Sequence, residues 1–134
     1  MKQTILQEKY PVFILELMKA ETDFKSADDI IGQLRRDIDA HKIARYVATF
    51  DHYTHTRELP DGQIAPAITD AKNIVFCFGV ALPNAEVLAV RPRSIGVAEF
   101  ADKFVISFLE APMPVANAAM EGWVRALRRA PDAA

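Results

Sequence analysis

The densest group of side chains able to do chemistry is Asp51-His52-Tyr53-Thr54-His55-Thr56, which holds two of the chain's three histidines. A carboxylate beside an imidazole can orient it as a proton shuttle, because histidine changes charge near neutral pH. The run is rich in aromatic and β-branched residues and reads as the end of a strand. On a strand, alternation groups Asp51, Tyr53 and His55 on one face and His52, Thr54 and Thr56 on the other. The His52-x-x-His55 spacing suggests metal, but residues three apart on an extended strand point to opposite faces, so a chelate there needs a bend. No cysteine or second carboxylate stands nearby at metal-ligand spacing. A structural role competes with all of this, since Tyr and Thr commonly fill strand positions and a histidine can satisfy a backbone carbonyl.

A second group is Arg91-Pro92-Arg93, followed by Ser94 and Gly96. In extended geometry both guanidinium groups project to the same side, and such a pair can grip a carboxylate or phosphate bidentately. The competing reading is a structural ion pair with Asp51, Glu99 or Glu110. Cys77 lies within Phe76-Cys77-Phe78-Gly79, where it is expected to act as a small apolar side chain and not as a reactive thiol. The run Glu110-Ala111-Pro112-Met113-Pro114 is stiffened by two prolines and can serve as a pocket wall or simply set a packing angle. The five glycines form neither a dinucleotide fingerprint nor a phosphate loop, and no GxSxG elbow is present.

These residues need elements to hold them. Pro11 to Leu17 reads as the first strand, after a largely polar start over residues 1–9 with no strong pattern. Ser26 with Asp29 three positions on forms a weakened capping box. Behind it Ala27, Ile30, Ile31, Leu34 and Ile38 make one apolar helical stripe. Strands are expected over Ala44–Thr56, Ile74–Val80, Glu86–Arg91 and Lys103–Glu110, with a turn at Pro92 to Gly96 and a short helix between Ile64 and Ala71. Pro114 opens the last helix, whose stripe is Met120, Trp123, Val124 and Leu127, with Arg125, Arg128 and Arg129 near its C-terminal dipole. The expected fold class is α+β, one mixed or antiparallel sheet of about five strands with two main helices on one face, in a ferredoxin-like arrangement. Its core is expected to contain Phe13, Leu15, Ile31, Leu34, Ile74, Phe76, Phe78, Phe104, Ile106, Phe108, Trp123 and Leu127.

At 134 residues the chain has the size of one domain, with an ordered part expected over residues 10–129. Sixteen basic against eighteen acidic residues leave a formal charge of -2, which gives no footprint for nucleic acid or an anionic membrane. The single cysteine fits a reducing compartment. The apolar run Val12–Leu15 is short and flanked by Glu8, Lys9, Glu16 and Lys19, unlike a secretory signal. No uncharged apolar run nears the roughly 20 residues of a membrane helix. A cytoplasmic protein is expected, and because the sheet is apolar on both faces, a homodimer.

The segments Phe50–Thr56, Phe76–Gly79, Leu88–Val97 and Phe108–Pro114 together resemble a small bacterial family of uncharacterised proteins, a domain of unknown function, over about residues 10–128. The resemblance implies bacterial origin and brings no activity, cofactor or catalytic residue with it. Function is therefore read from the residues. The first expectation is a module that binds a small anionic ligand, with Arg91 and Arg93 as charge partners and Asp51, Tyr53 and His55 beside them. The alternatives are a metal-dependent or acid/base enzyme using Asp51, His52 and His55 with His41 or Glu110, and a structural or regulatory interaction protein.

Overall fold

A computed structural model describes residues 1–128. The expected positions of Arg129 and of the tail from 130 to 134 lie outside the described residues. The chain runs β1 (Lys2–Leu6), β2 (Tyr10–Met18), α1 (Ala27–Ala40), β3 (Arg45–Phe50), α2 (His52–Arg57), β4 (Asp70–Cys77), β5 (Arg93–Glu99), β6 (Lys103–Leu109) and α3 (Pro114–Ala126). The six strands form one sheet in the order β1-β2-β6-β5-β4-β3, and every neighbouring pair is antiparallel.

The architecture is α+β, with six strands where five were expected. The ferredoxin-like arrangement is not confirmed. The strand–helix–strand unit β2-α1-β3 crosses to the far edge of the sheet, leaving β6, β5 and β4 between its two strands.

Local chemistry accounts for most elements. Ser26 caps α1 by accepting a hydrogen bond from the Asp29 backbone N–H at 3.1 Å. All five apolar stripe residues of α1 are buried, packed on β3, β4 and β5. Pro114 occupies the first turn of α3, whose buried face is Ala116, Met120 and Val124. On the sheet, Phe13, Leu15 and Leu17, Ile74 and Phe76, Ile95 and Val97, and Phe104, Ile106 and Phe108 all turn to the helix-covered face and are buried. Of the expected core only Trp123 is half-buried. It packs at the margin, stacked on Phe78 with ring centroids 5.7 Å apart.

Among the described residues no long helix covers the opposite face. Val12 and Ile14, Ala71 and Val75, Ser94, Gly96 and Ala98, and Val105 and Ser107 are half-buried there. Burying only one face in a two-layer fold leaves the other open.

Three expectations fail for identifiable reasons. Lys2–Leu6 is a strand because its hairpin turn places Gln7 and Glu8 at φ 52° and 61°, a conformation usually announced by glycine or asparagine. The segment Glu86–Val90 is a 3-10 helix and the strand begins after Pro92, so Gly96 lies inside β5 opposite Asn73 and Ser107. The stretch from Ile64 to Ala71 holds a turn closed by Ile68 N–H to Ala65 O, and then the start of β4 in place of a helix.

Candidate functional site

Arg91 ends the 3-10 helix in an extended conformation, and a cis Arg91–Pro92 peptide leads into β5. Its guanidinium Nη1 donates to the Ala81 carbonyl at 2.6 Å and lies against Gly79, where a Cβ would come within 2.5 Å of it. The lack of a side chain at Gly79 is what admits the guanidinium.

Arg93 opens β5 opposite Phe76, on the helix-covered face, and is 9% exposed. Its Nη2 donates to Leu109 O at 2.5 Å and its Nη1 to Val90 O at 3.3 Å. Its Nε is buried without a hydrogen-bond partner. Burial holds its pKa below the ordinary arginine value. Among the described residues no carboxylate pairs with it. Each acid that could have done so is engaged elsewhere. Glu99 binds Lys19 at 2.7 Å and the Ala27 N–H at 2.8 Å, Glu110 accepts from Gln3, and Asp51 accepts from Thr54. Nearly all buried charges are paired. Among the described residues two carbonyls are the hydrogen-bond partners of this buried cation.

Both arginines line a cavity of about 370 Å³ at one end of the sheet. The rest of its lining is Phe78, Val87 and Val90 together with Ala111, Pro112, Met113, Pro114 and Ala116. The last five belong to the proline-stiffened passage into α3. Its bend is fixed where Asn117 Oδ1 accepts from the Ala111 N–H at 2.9 Å. No side chain caps the first turn of this 13-residue helix, and because Met113, Pro114 and Ala116 line the cavity, the positive end of its dipole borders it with the two arginines.

The expected partners from the Asp51–His55 run lie elsewhere, because that run is a helix beyond Phe50. Asp51 is its N-cap, accepting from the Thr54 N–H at 3.0 Å and from Thr54 Oγ1 at 2.9 Å. These bonds, the backbone one first, hold its carboxyl below the ordinary value. Its carboxylate serves the cap and orients no imidazole. The strand alternation expected for Asp51, Tyr53 and His55 therefore does not apply. On a helix, residues three apart share a face, and His52 and His55 do approach, with ring centroids 6.4 Å apart, both against Phe50. Tyr53 packs beneath the Arg57 guanidinium. Neither Tyr53 nor His55 lines the cavity of Arg91 and Arg93. Among the described residues no three of His, Cys, Asp and Glu gather as metal ligands. His41, the other histidine, accepts the Ile43 and Ala44 backbone N–H groups on Nδ1 at 3.1 and 3.2 Å, a structural cap between α1 and β3.

Sequence reasoning missed two features. One is a shallow depression of about 390 Å³ on the open face, lined by Asn73, Ser94 and Ser107 and bordered by Arg93. Asn73 Nδ2 donates to Ser94 Oγ at 3.0 Å, and Asn73 Oδ1 meets His52 Nδ1 at 3.3 Å. A glycine inside a strand, Gly96, was its one signal. The other is an apolar groove where Val47, Cys77, Val80, Leu82 and Leu88 surround the outer side of Arg91. Val80, Leu82 and Leu88 there are 84%, 73% and 63% exposed.

A family model described as a family of unknown function (DUF6858) matches residues 1–129. No curated protein and no solved structure matches the chain.

Proposed function

The chain belongs to the family of unknown function DUF6858, and from its own geometry we propose that it is a binding module for a small anionic ligand, held between Arg91, Arg93 and the first turn of α3. The observation that carries this reading is Arg93, nine-tenths buried with an unsatisfied Nε and, among the described residues, no carboxylate partner. An unpaired buried charge is costly, and an anion in the adjoining cavity supplies the missing counter-charge. A cavity of this size, largely apolar with a few convergent polar groups, is the usual form of a small-molecule site. Asp51, Tyr53 and His55 do not line this cavity, and among the described residues no three of His, Cys, Asp and Glu gather as metal ligands.

The test is thermal unfolding in acetate, sulfate and phosphate titrated against chloride at constant ionic strength. Saturable stabilisation beyond chloride is expected, and it should disappear in Arg93→Met. Equal melting temperatures in all four salts would count against the proposal.

A second reading is favoured by the exposed Val80, Leu82 and Leu88 and the open sheet face beside them. Apolar patches of this kind commonly mark interfaces, and a homodimer through this side is the simplest closed arrangement. Among the described residues no helix is long and apolar enough to cross a membrane. The lone Cys77 suits a cytoplasmic, and by resemblance bacterial, setting.

A further inference from the structure

We infer that the ligand of the Arg91–Arg93 cavity is an amphipathic monocarboxylic acid, with its carboxylate at the arginines and an apolar body against Phe78, Val87, Val90 and Met113; this rests on the anion-binding reading above. The ground is what the cavity lacks. Among the described residues Arg91 and Arg93 are the only polar side chains on its wall, and no Ser, Thr, Asn, Gln, Tyr, His or Lys lines it. A sugar phosphate or nucleotide entering it would bury hydroxyls or ring nitrogens with no partners, at a cost for each. An aliphatic or aromatic body leaves no such debt and removes its own apolar surface, and that of the wall, from water.

The head group follows from the same inventory. A phosphate dianion brings more charge and more acceptor oxygens than a carboxylate, and sites that hold it draw on several convergent donors. Here the donors are two guanidinium groups that already give hydrogen bonds to carbonyls, Arg91 to Ala81 and Arg93 to Val90 and Leu109, and one uncapped helix turn that begins with Pro114 and so has lost one N–H. A planar carboxylate matches the planar fork of arginine with fewer donors.

The test is isothermal titration of the full chain with hexanoate, 1-hexanol and inorganic phosphate at fixed ionic strength. Hexanoate is expected to bind at least about tenfold more tightly than either of the others, the step that 1.4 kcal/mol represents. In Met113→Glu, hexanoate affinity is expected to fall about tenfold or more through like-charge repulsion. The fold should be kept, because Met113 is exposed and an acidic group at a helix N-terminus is stabilising. Phosphate binding as tightly as hexanoate would overturn the apolar-acid class and leave the anion reading in place. Hexanol binding as tightly as hexanoate, or no binding by any of the three, would overturn both. Hexanoate affinity unmoved by Met113→Glu in a folded variant would place the ligand elsewhere and overturn the assignment.

Discussion

Replacing Arg93 with Met separates a ligand site from a structural clamp, because the two roles give opposite responses to anions. In wild type the guanidinium makes two hydrogen bonds. The 2.5 Å bond to Leu109 O is strong, while the 3.3 Å bond to Val90 O lies beyond the usual range. Bonds to charged groups contribute about 1.5–3 kcal/mol each, with the long one at the low end. Against this stands the effective penalty of burying an ion, several kcal/mol after relaxation, with no carboxylate to offset it. The terms nearly cancel. Val90 and Leu109 are themselves exposed, so water can reach their carbonyls once the arginine is gone. Arg93→Met should therefore change stability by less than about 2 kcal/mol in anion-poor buffer, the balance of these two terms. At a ligand concentration one hundred times its Kd, wild type gains about 2.7 kcal/mol and the variant gains nothing. In melting temperature that is roughly 8–13 °C, at about 3–5 °C per kcal/mol for a chain of this size. The assay is urea and thermal unfolding of both proteins with and without hexanoate. A variant that loses more than about 4 kcal/mol in every buffer, with no anion effect on wild type, would show that Arg93 is only a clamp and refute the reasoning.

Other outcomes follow from the same structure. Gly79→Ala should push the Arg91 guanidinium off its seat and weaken hexanoate binding, while urea unfolding shifts by less than about 1 kcal/mol, because the displaced group is the end of a flexible side chain. Phe76→Ala, which removes a buried ring packed on Phe78 and Trp123, should cost about 3–5 kcal/mol in urea unfolding. The Asp51 cap has a folded pKa below 3.8, so its contribution is present above pH 3.8 and lost as pH falls below it; the Thr54 amide should lose hydrogen-exchange protection over that acid range and at neutral pH in Asp51→Ala. Light scattering at micromolar concentration should give twice the chain mass, and Leu82→Glu, at an exposed site, should return a monomer; a monomeric wild type would remove the dimer.

The sequence was most legible where local and long-range preferences agree. Around α1, the Ser26 cap and the stripe from Ala27 to Ile38 both specify the helix and its buried face. In β6, strict alternation puts Phe104, Ile106 and Phe108 in the core. It was misleading where side-chain preference and backbone state part. Tyr53, Thr54 and Thr56 favour strands, yet the Asp51 carboxylate on the Thr54 N–H starts a helix, and one capping bond there outweighs several weak propensities. Val87, Leu88 and Val90 resemble a strand but lie before Pro92, and the sheet begins only at Arg93. The candidate site was half legible. Arg91 and Arg93 line one cavity, and so does the proline-stiffened run after Glu110. Tyr53 and His55 were assigned to it by alternation on a strand that does not extend so far. That Arg93 has no counter-ion among the described residues was not legible at all, since Glu99 and Glu110 find other partners only through tertiary contacts with Lys19 and Gln3.

The most direct measurement is nitrogen-15 NMR of the arginine side chains during a hexanoate titration, with the Arg93 Nε–H signal assigned by its loss in Arg93→Lys. The Nε is unpartnered and shielded from solvent in the free protein, so the charge of a carboxylate seated at the guanidinium should move its resonance saturably. An Arg93 Nε–H signal that stays in place while hexanoate saturates the protein would contradict the account.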